Sequence, residues 1–175
     1  MLLTHYFGHC LLYCNIQALI LGPQLQGQSH LNTSSASLLG FFDGSWSEVP
    51  NACRGIVDVR DCAAAHVNAL EKWDIAAGHR FVLMESAPHF SKFANIIREC
   101  VPEDLKKNVP TAISTEIGPT VLGNPPPNPV LFDNTPSKEI LGIEYHSGQE
   151  MITIAVDSLL SNGFKSSKQY ATDKL

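Results

Sequence analysis

The stretch Gly55-Ile56-Val57-Asp58-Val59-Arg60-Asp61-Cys62-Ala63-Ala64-Ala65-His66-Val67-Asn68-Ala69-Leu70 leaves the chain few local options. Ile56, Val57 and Val59 are β-branched and favour extended backbone, whereas the run from Asp61 onward is mostly good helix formers. A strand must pass directly into a helix. Ala63, Val67, Leu70 and Trp73 recur at helical spacing, so the pattern predicts that this stripe faces a core. Asp58 is placed to accept from the free amides of the first turn, and Asp61, three residues later, to reach back as the acidic half of a capping box. Both carboxylates complement the helix dipole. A carboxylate pair is also the raw material of acid–base chemistry, but local caps account for this one without it.

Around that turn the chain alternates strand and helix signals. Ala18-Leu19-Ile20-Leu21, ended by Gly22-Pro23, reads as a parallel-sheet strand buried on both faces. Asn32 or Thr33 can cap a helix carrying Leu38, Leu39, Phe41 and Phe42, with Gly44 placed to terminate it. Arg80 to Met84 is predicted as the next strand, followed by a helix from about Pro88 to Cys100 whose buried stripe is Phe93, Ile96, Ile97 and Cys100. Val101 to Pro136 is proline-rich and predicts a long loop over one end. Thr135, with Pro136 in the first turn, then caps a short helix stopped at Gly142, and Ser147-Gly148-Gln149-Glu150 is a capping box before Ile152, Val156, Leu159 and Leu160. The order of elements implies an α/β layer structure. Residues 1–17 form an atypical N-terminal segment, 18–165 the folded part, and 166–175 a polar tail expected to fray.

Composition excludes several functions. With 12 Lys plus Arg against 17 Asp plus Glu, and no basic residue before Arg54, there is no stripe to neutralise phosphates, so nucleic acid is not an expected partner. His5, His9, Asn15 and Gln17 interrupt the apolar N-terminal run, which argues against a membrane span, and a positive leader region is lacking. Five irregularly spaced cysteines predict reduced thiols in a cytoplasmic protein. His5, His9, Cys10 and Cys14 lie four apart in pairs, but nothing elsewhere supports a metal site. No glycine-rich phosphate cradle, nucleophile elbow or triad context is present, and His66 reads as a hydrogen-bonded boundary residue rather than a base.

Four motifs, taken in order, resemble the extended short-chain dehydrogenases, in particular their dihydroflavonol reductase, aldehyde reductase and methylglyoxal reductase branch. These are Leu21-Gly22-Pro23, His30-Leu31-Asn32-Thr33-Ser34, Val57-Asp58-Val59-Arg60-Asp61-Cys62-Ala63 with Ala65-His66, and Asp133-Asn134 to Ser137-Lys138 through Leu141-Gly142. The resemblance runs from about Asn15 to Gly163. It implies the C-terminal part of a Rossmann-type α/β fold: the last parallel strands with their helices, plus a small substrate-side lobe. Members reduce aldehydes or ketones with NADP or NAD. By the same resemblance, Ile20 matches the strand residue whose backbone lies against the nicotinamide, and Ser34 the serine that contacts the same cofactor.

Two departures shape the functional expectation. The family's glycine-rich first turn and Tyr-x-x-x-Lys helix precede the Leu21-Gly22-Pro23 strand, and this chain begins after them; Tyr170 to Lys174 fits the spacing but lies in the polar tail. Residues 1–14 match nothing in the family, and Asn15-Ile16-Gln17 stands where an Asn-Pro is usual. The chain is therefore expected to be inactive alone and to hold no dinucleotide by itself, with no catalytic residue and no metal assigned to it. The rival reading is a non-catalytic interaction or dimerisation module. Under the first reading the strand at Ala18 to Leu21 is left with an unpaired apolar sheet edge through which copies can self-associate, whereas a true module would carry a polar surface over that edge.

Overall fold

A computed structural model describes residues 18–25, 31–117 and 132–166. Strand β1 (Leu19–Leu21) pairs in parallel with β3 (Ile56–Asp58), in the register Leu19 to Ile56, Ile20 to Val57 and Leu21 to Asp58. A second parallel pair joins β2 (Val49–Asn51) to β4 (Ile113–Ile117), with an irregularity between Val49 and Asn51. The helices are α1 (Thr33–Gly40), α2 (Val59–Glu71), α3 (Trp73–Ala76), α4 (Phe90–Cys100), α5 (Glu103–Lys106), α6 (Thr135–Glu139) and α7 (Gly148–Ser161). Parallel strands and helices make this the mixed α/β architecture expected of part of a Rossmann-type fold.

Two hydrophobic bodies meet at β3. Consecutive strand residues point to opposite faces, so Ile56 enters one and Val57 the other, both without solvent exposure. The larger body holds α1, α4 and α7. Phe41 packs on Trp46 with ring centroids 4.4 Å apart, and Phe90 on Phe93 at 5.1 Å. The smaller body brings Ala65, Ala69 and Ala76 against Phe81, Leu83, Leu141 and Ile143.

Several expectations need correction. The core-facing side of α2 is Cys62, Ala65 and Ala69, not the stripe of larger residues; Val67 is 52% exposed and Leu70 69%. Alanines let the helix approach Phe81 and Leu83 closely, and the larger side chains are left outside. In Arg80 to Met84 the side chains of Phe81, Leu83 and Met84 are buried, yet among the described residues the segment joins no named strand; pairing comes just after it, where Glu85 N donates to Ile56 O and Ile56 N to Ser86 O. In β1 only Leu21 is buried, because among the described residues the strand has a ladder only to β3. The segment expected as one long loop contains α5 and β4.

The caps follow the local signals more closely. Ser35 N donates to Asn32 Oδ1 and Glu150 N to Ser147 Oγ, at the starts of α1 and α7. The helix expected from Pro88 starts instead at Phe90, where His89 Nδ1 accepts from Ser91 N. At α6 the cap position is Asn134 rather than Thr135, and the Thr135 amide donates to Asp133 Oδ1. Gly142, at φ 73°, lies in the left-handed region just beyond that helix, as its stop position predicts.

Candidate functional site

The end of β1 is shaped by one glycine. Gly22 has φ 129°, and a Cβ there would meet Val59 Cγ1 at 2.9 Å and Asp58 Oδ1 at 3.1 Å, so only glycine lets the chain turn this close to the start of α2. The exit is then fixed by Gln24, which is buried. Its amide donates to Ser158 Oγ (2.6 Å), its Oε1 accepts from Ser35 Oγ (2.9 Å), and its carbonyl accepts from Asn162 Nδ2 (3.3 Å). The β1 exit, the first turn of α1 and the end of α7 are thereby joined.

Between them lies a cavity of about 120 Å³ lined by Ile20, Gly22, Pro23, Gln24, Asn32, Ser35 and Val59 among others. Of the two residues singled out from the sequence, Ile20 lines it. Ser34 sits half-buried on the first turn of α1 and is not a lining residue, whereas its neighbour Ser35 is. None of the lining side chains is an acid, a base or a thiol, so the cavity can hold or wall a ligand but cannot move a proton. Its volume is below the roughly 300 Å³ at which small-molecule pockets usually begin. A cavity of this size cannot enclose a dinucleotide. Val59 and Asn32 were not foreseen as site residues; the strand-to-helix junction and the cap were visible, but not their convergence.

Beneath the cavity, Asp58 caps α2. Its Oδ1 accepts from Arg60 N and Arg60 Nε, and its Oδ2 from Arg60 Nη2, each at 2.8 Å, with the carboxylate fully buried. Burial pushes this carboxyl up, but the Arg60 hydrogen bonds and charge, assisted by His146, outweigh it and hold the group below its ordinary range. Asp61 does not reach back to complete a capping box. Its buried carboxylate instead accepts from His146 N (2.9 Å) and contacts His146 Nδ1 (2.5 Å), while His146 Nε2 faces Glu150 at 4.0 Å. This imidazole, held between two carboxylates, pins the start of α7 to the start of α2. His66 is exposed and bonds to Cys62 O of its own helix.

The last of the four sequence motifs also has a structural job. Asn134 Nδ2 donates to Met84 O (2.8 Å), and Ser137 Oγ, fully buried, bonds Asn134 O and Tyr145 Oη. From α2, Asn68 Nδ2 donates to Leu141 O, and Lys72 Nζ lies 3.2 Å from the Ile140 and Leu141 carbonyls. The motif ties α6 to α2 and to the segment at 80–84. A cavity of about 530 Å³ beside it is lined by Glu85, Lys138 and Tyr145, with the Lys138 ammonium 5.8 Å above the Tyr145 ring.

Among the described residues no three His, Cys, Asp or Glu side chains converge as a metal site, and no helix is long and apolar enough to cross a membrane. The His5, His9, Cys10 and Cys14 group, His30, the Asn15 to Gln17 departure and Tyr170 to Lys174 lie outside the described residues.

No protein-family model matches the chain. Individual relatives do. The chain is 34% identical to cinnamoyl-CoA reductase 1 of Arabidopsis thaliana over 83% of its own length and 38% of that protein. With cinnamoyl-CoA reductase CAD2 of Medicago truncatula it shares 31% identity over 84% of this chain and 40% of the relative. The crystal structure of yeast methylglyoxal/isovaleraldehyde reductase Gre2, complexed with NADPH, superposes with a TM-score of 0.61 and 25% identity, covering 82% of this chain and 44% of the yeast chain. The chain thus spans about two fifths of the length of the curated relatives it matches. With the parallel β1–β3 pair, the glycine turn beside α2 and the α6 motif in place, the chain is similar to the C-terminal portion of reductases of the extended short-chain dehydrogenase/reductase type.

Proposed function

We propose that this chain supplies the substrate-side part of an NAD(P)-dependent reductase that converts small aldehydes or ketones to alcohols. The observation that supports the reading is the cavity at the end of β1, lined by Ile20 and by the first turn of α1, the two elements to which the family resemblance assigns nicotinamide contacts. In this reading the Ile20 backbone lies against the nicotinamide, and Ser34, beside the cavity and not in its lining, offers the cofactor one hydrogen bond. The bound cofactor supplies hydride. These residues position its reactive end and keep water from it, whereas the proton donor and the pyrophosphate cradle belong to the upstream half of the fold, which makes the isolated chain inactive.

The test is to fuse the chain to the upstream half of the yeast reductase and follow NADPH oxidation with methylglyoxal, isovaleraldehyde and a simple ketone. The fusion should turn over, and the isolated chain should neither oxidise NADPH nor enhance its fluorescence. A neutral hydrogen bond is worth about 0.5–1.5 kcal/mol, so Ser34→Ala in the fusion should raise the NADPH KM roughly two- to tenfold with kcat little changed. A folded fusion that leaves NADPH untouched with every carbonyl would refute the reading.

A further inference from the structure

Helix α4 begins on an imidazole. The cap position holds His89 instead of Ser, Thr, Asp or Asn, and no acidic residue stands in the first turn. His89 Nδ1 accepts from the Ser91 amide at 3.1 Å and also lies 2.9 Å from Ser91 Oγ. An amide can donate only to a ring nitrogen without a proton, so the geometry puts the ring's proton on Nε2, which donates to Asn51 Oδ1 of β2 at 3.2 Å. The neutral ring therefore joins the start of α4 to β2. Backbone pairing holds it there: Phe90 N donates to Ala52 O and Arg54 N to Pro88 O, which makes Cys53 and His89 opposite members of an antiparallel bridge with their side chains on one side of the ribbon.

A second proton on this ring has one available place, Nδ1. There it faces the Ser91 N–H, so the amide loses its acceptor and a positive charge is added at the positive end of an 11-residue helix. The titratable and charged groups around the ring offer no compensation. They are the Cys53 thiol across the bridge, which burial pushes up and keeps neutral, Arg54 next to it and Lys92 in the first turn; among the described residues the ring makes no ion pair with a carboxylate. Burial of the ring works in the same direction and holds the imidazole below its ordinary range. What the protonated ring can keep is Asn51, through Nε2–H, and the Ser91 hydroxyl, to which Nδ1–H can donate. The turn that loses its cap carries Phe90 and Phe93, which pack against each other and against Phe41, so its loosening reaches the centre of the larger hydrophobic body.

We propose that His89 is an acid-sensitive latch on α4, a device independent of the reductase reading: neutral, it caps the helix and ties it to β2, and protonated, it exchanges the Ser91 amide for the Ser91 hydroxyl and releases the first turn. The folded chain takes up this proton less readily than the unfolded one. The latch therefore contributes fully above the unfolded value of about 6.5, and its contribution is lost as pH falls through that value toward the lower folded one. The full chain, His89→Asn and His89→Ser are compared in thermal melts at about pH 7.5 and about pH 5.5, with hydrogen exchange of the 89–93 backbone followed by mass spectrometry. Asparagine and serine cap without titrating in this range, and the other titrating groups are common to all three chains. One unit below 6.5 allows at most about a tenfold change in the folding equilibrium, so the wild type should lose roughly 2–4 °C more than either variant on acidification. Its 89–93 amides, corrected for intrinsic rate, should lose protection in acid, and those of the variants should not. Equal acid losses in wild type and variants would overturn the proposal, as would wild-type protection at 89–93 that does not change with pH. If one variant does not fold, the other carries the comparison; if neither does, exchange in the wild type decides, since a cap without a titrating acceptor shows no acid step near about pH 6.

Discussion

Replacing Asp58 probes the junction on which both hydrophobic bodies depend. Asp58→Ala removes the acceptor for the Arg60 amide, a helix cap worth about 1 kcal/mol. It also removes the bidentate contact with the Arg60 guanidinium, which is 38% exposed and therefore screened, so that this part is worth about 0.5–1 kcal/mol. The freed guanidinium can turn to water or to Glu150, 3.6 Å away, and is not left buried. The sum is about 2 kcal/mol, which for a chain of this length corresponds to a fall in Tm of roughly 4–8 °C. Asp58→Asn keeps a good cap and should lose about half as much. The carboxyl has a lowered pKa in the folded state, so the unfolded chain binds the proton more tightly. Its contribution is then complete above the unfolded value of about 4 and fades as pH falls through the lower folded value. Thermal melts of wild type and Asp58→Asn at pH 7 and pH 3 should show the gap narrowing in acid. A gap independent of pH, or an Asp58→Ala loss below about 0.5 kcal/mol, would refute the reasoning. If the same variant in the fusion kept its stability but lost turnover, Asp58 would be an acid–base group and not a cap.

Other perturbations test separate parts of the structure. Gly22→Ala forces a left-handed backbone and a contact under 3 Å with Val59, so it should cost about 2–3 kcal/mol in melts, far more than Gly78→Ala, where φ is also positive but no atom lies within 4 Å. Phe93→Ala empties the centre of the aromatic cluster and should cost about 3–5 kcal/mol by denaturant titration. Asp61→Ala strips the partner from the His146 amide and ring and should cost about 2 kcal/mol, whereas His146→Ala should cost less, since it leaves the carboxylate free to take a water. The isolated chain should self-associate through β1, which among the described residues has a ladder only to β3, and light scattering should show it; a stable monomer would remove that edge as a cause.

What was legible in the sequence was local. Asp58, Asn32 and Ser147 cap helices because a side chain three atoms from its own backbone needs no distant partner, and Gly142 stops α6 for the same reason. Asp61 escaped because its partner, His146, is 85 residues away, and no spacing rule ties the two. The buried face of α2 was misread because large apolar residues outweigh alanine in any periodicity count, yet close approach to Phe81 and Leu83 rewards the small ones. Arg80 to Met84 had strand composition and strand burial, but the ladder depends on neighbours that composition does not contain. At the candidate site, Ile20 was reached by resemblance alone, and the convergence of Asn32, Ser35 and Val59 on it needed three dimensions.

The alternation at β3 has a consequence for how this chain tolerates change in length. Ile56 and Val57 are neighbours in sequence but belong to different cores, and Asp58 follows as the cap of α2. Adding or deleting one residue here would swap the two side chains between cores and move the carboxylate off the helix axis in the same event. Three losses then arrive together, in both halves of the molecule. Insertions between Gly78 and Arg80, where the chain is exposed, should cost little by comparison, while the tripeptide Ile56-Val57-Asp58 should accept substitution far more readily than any shift in frame.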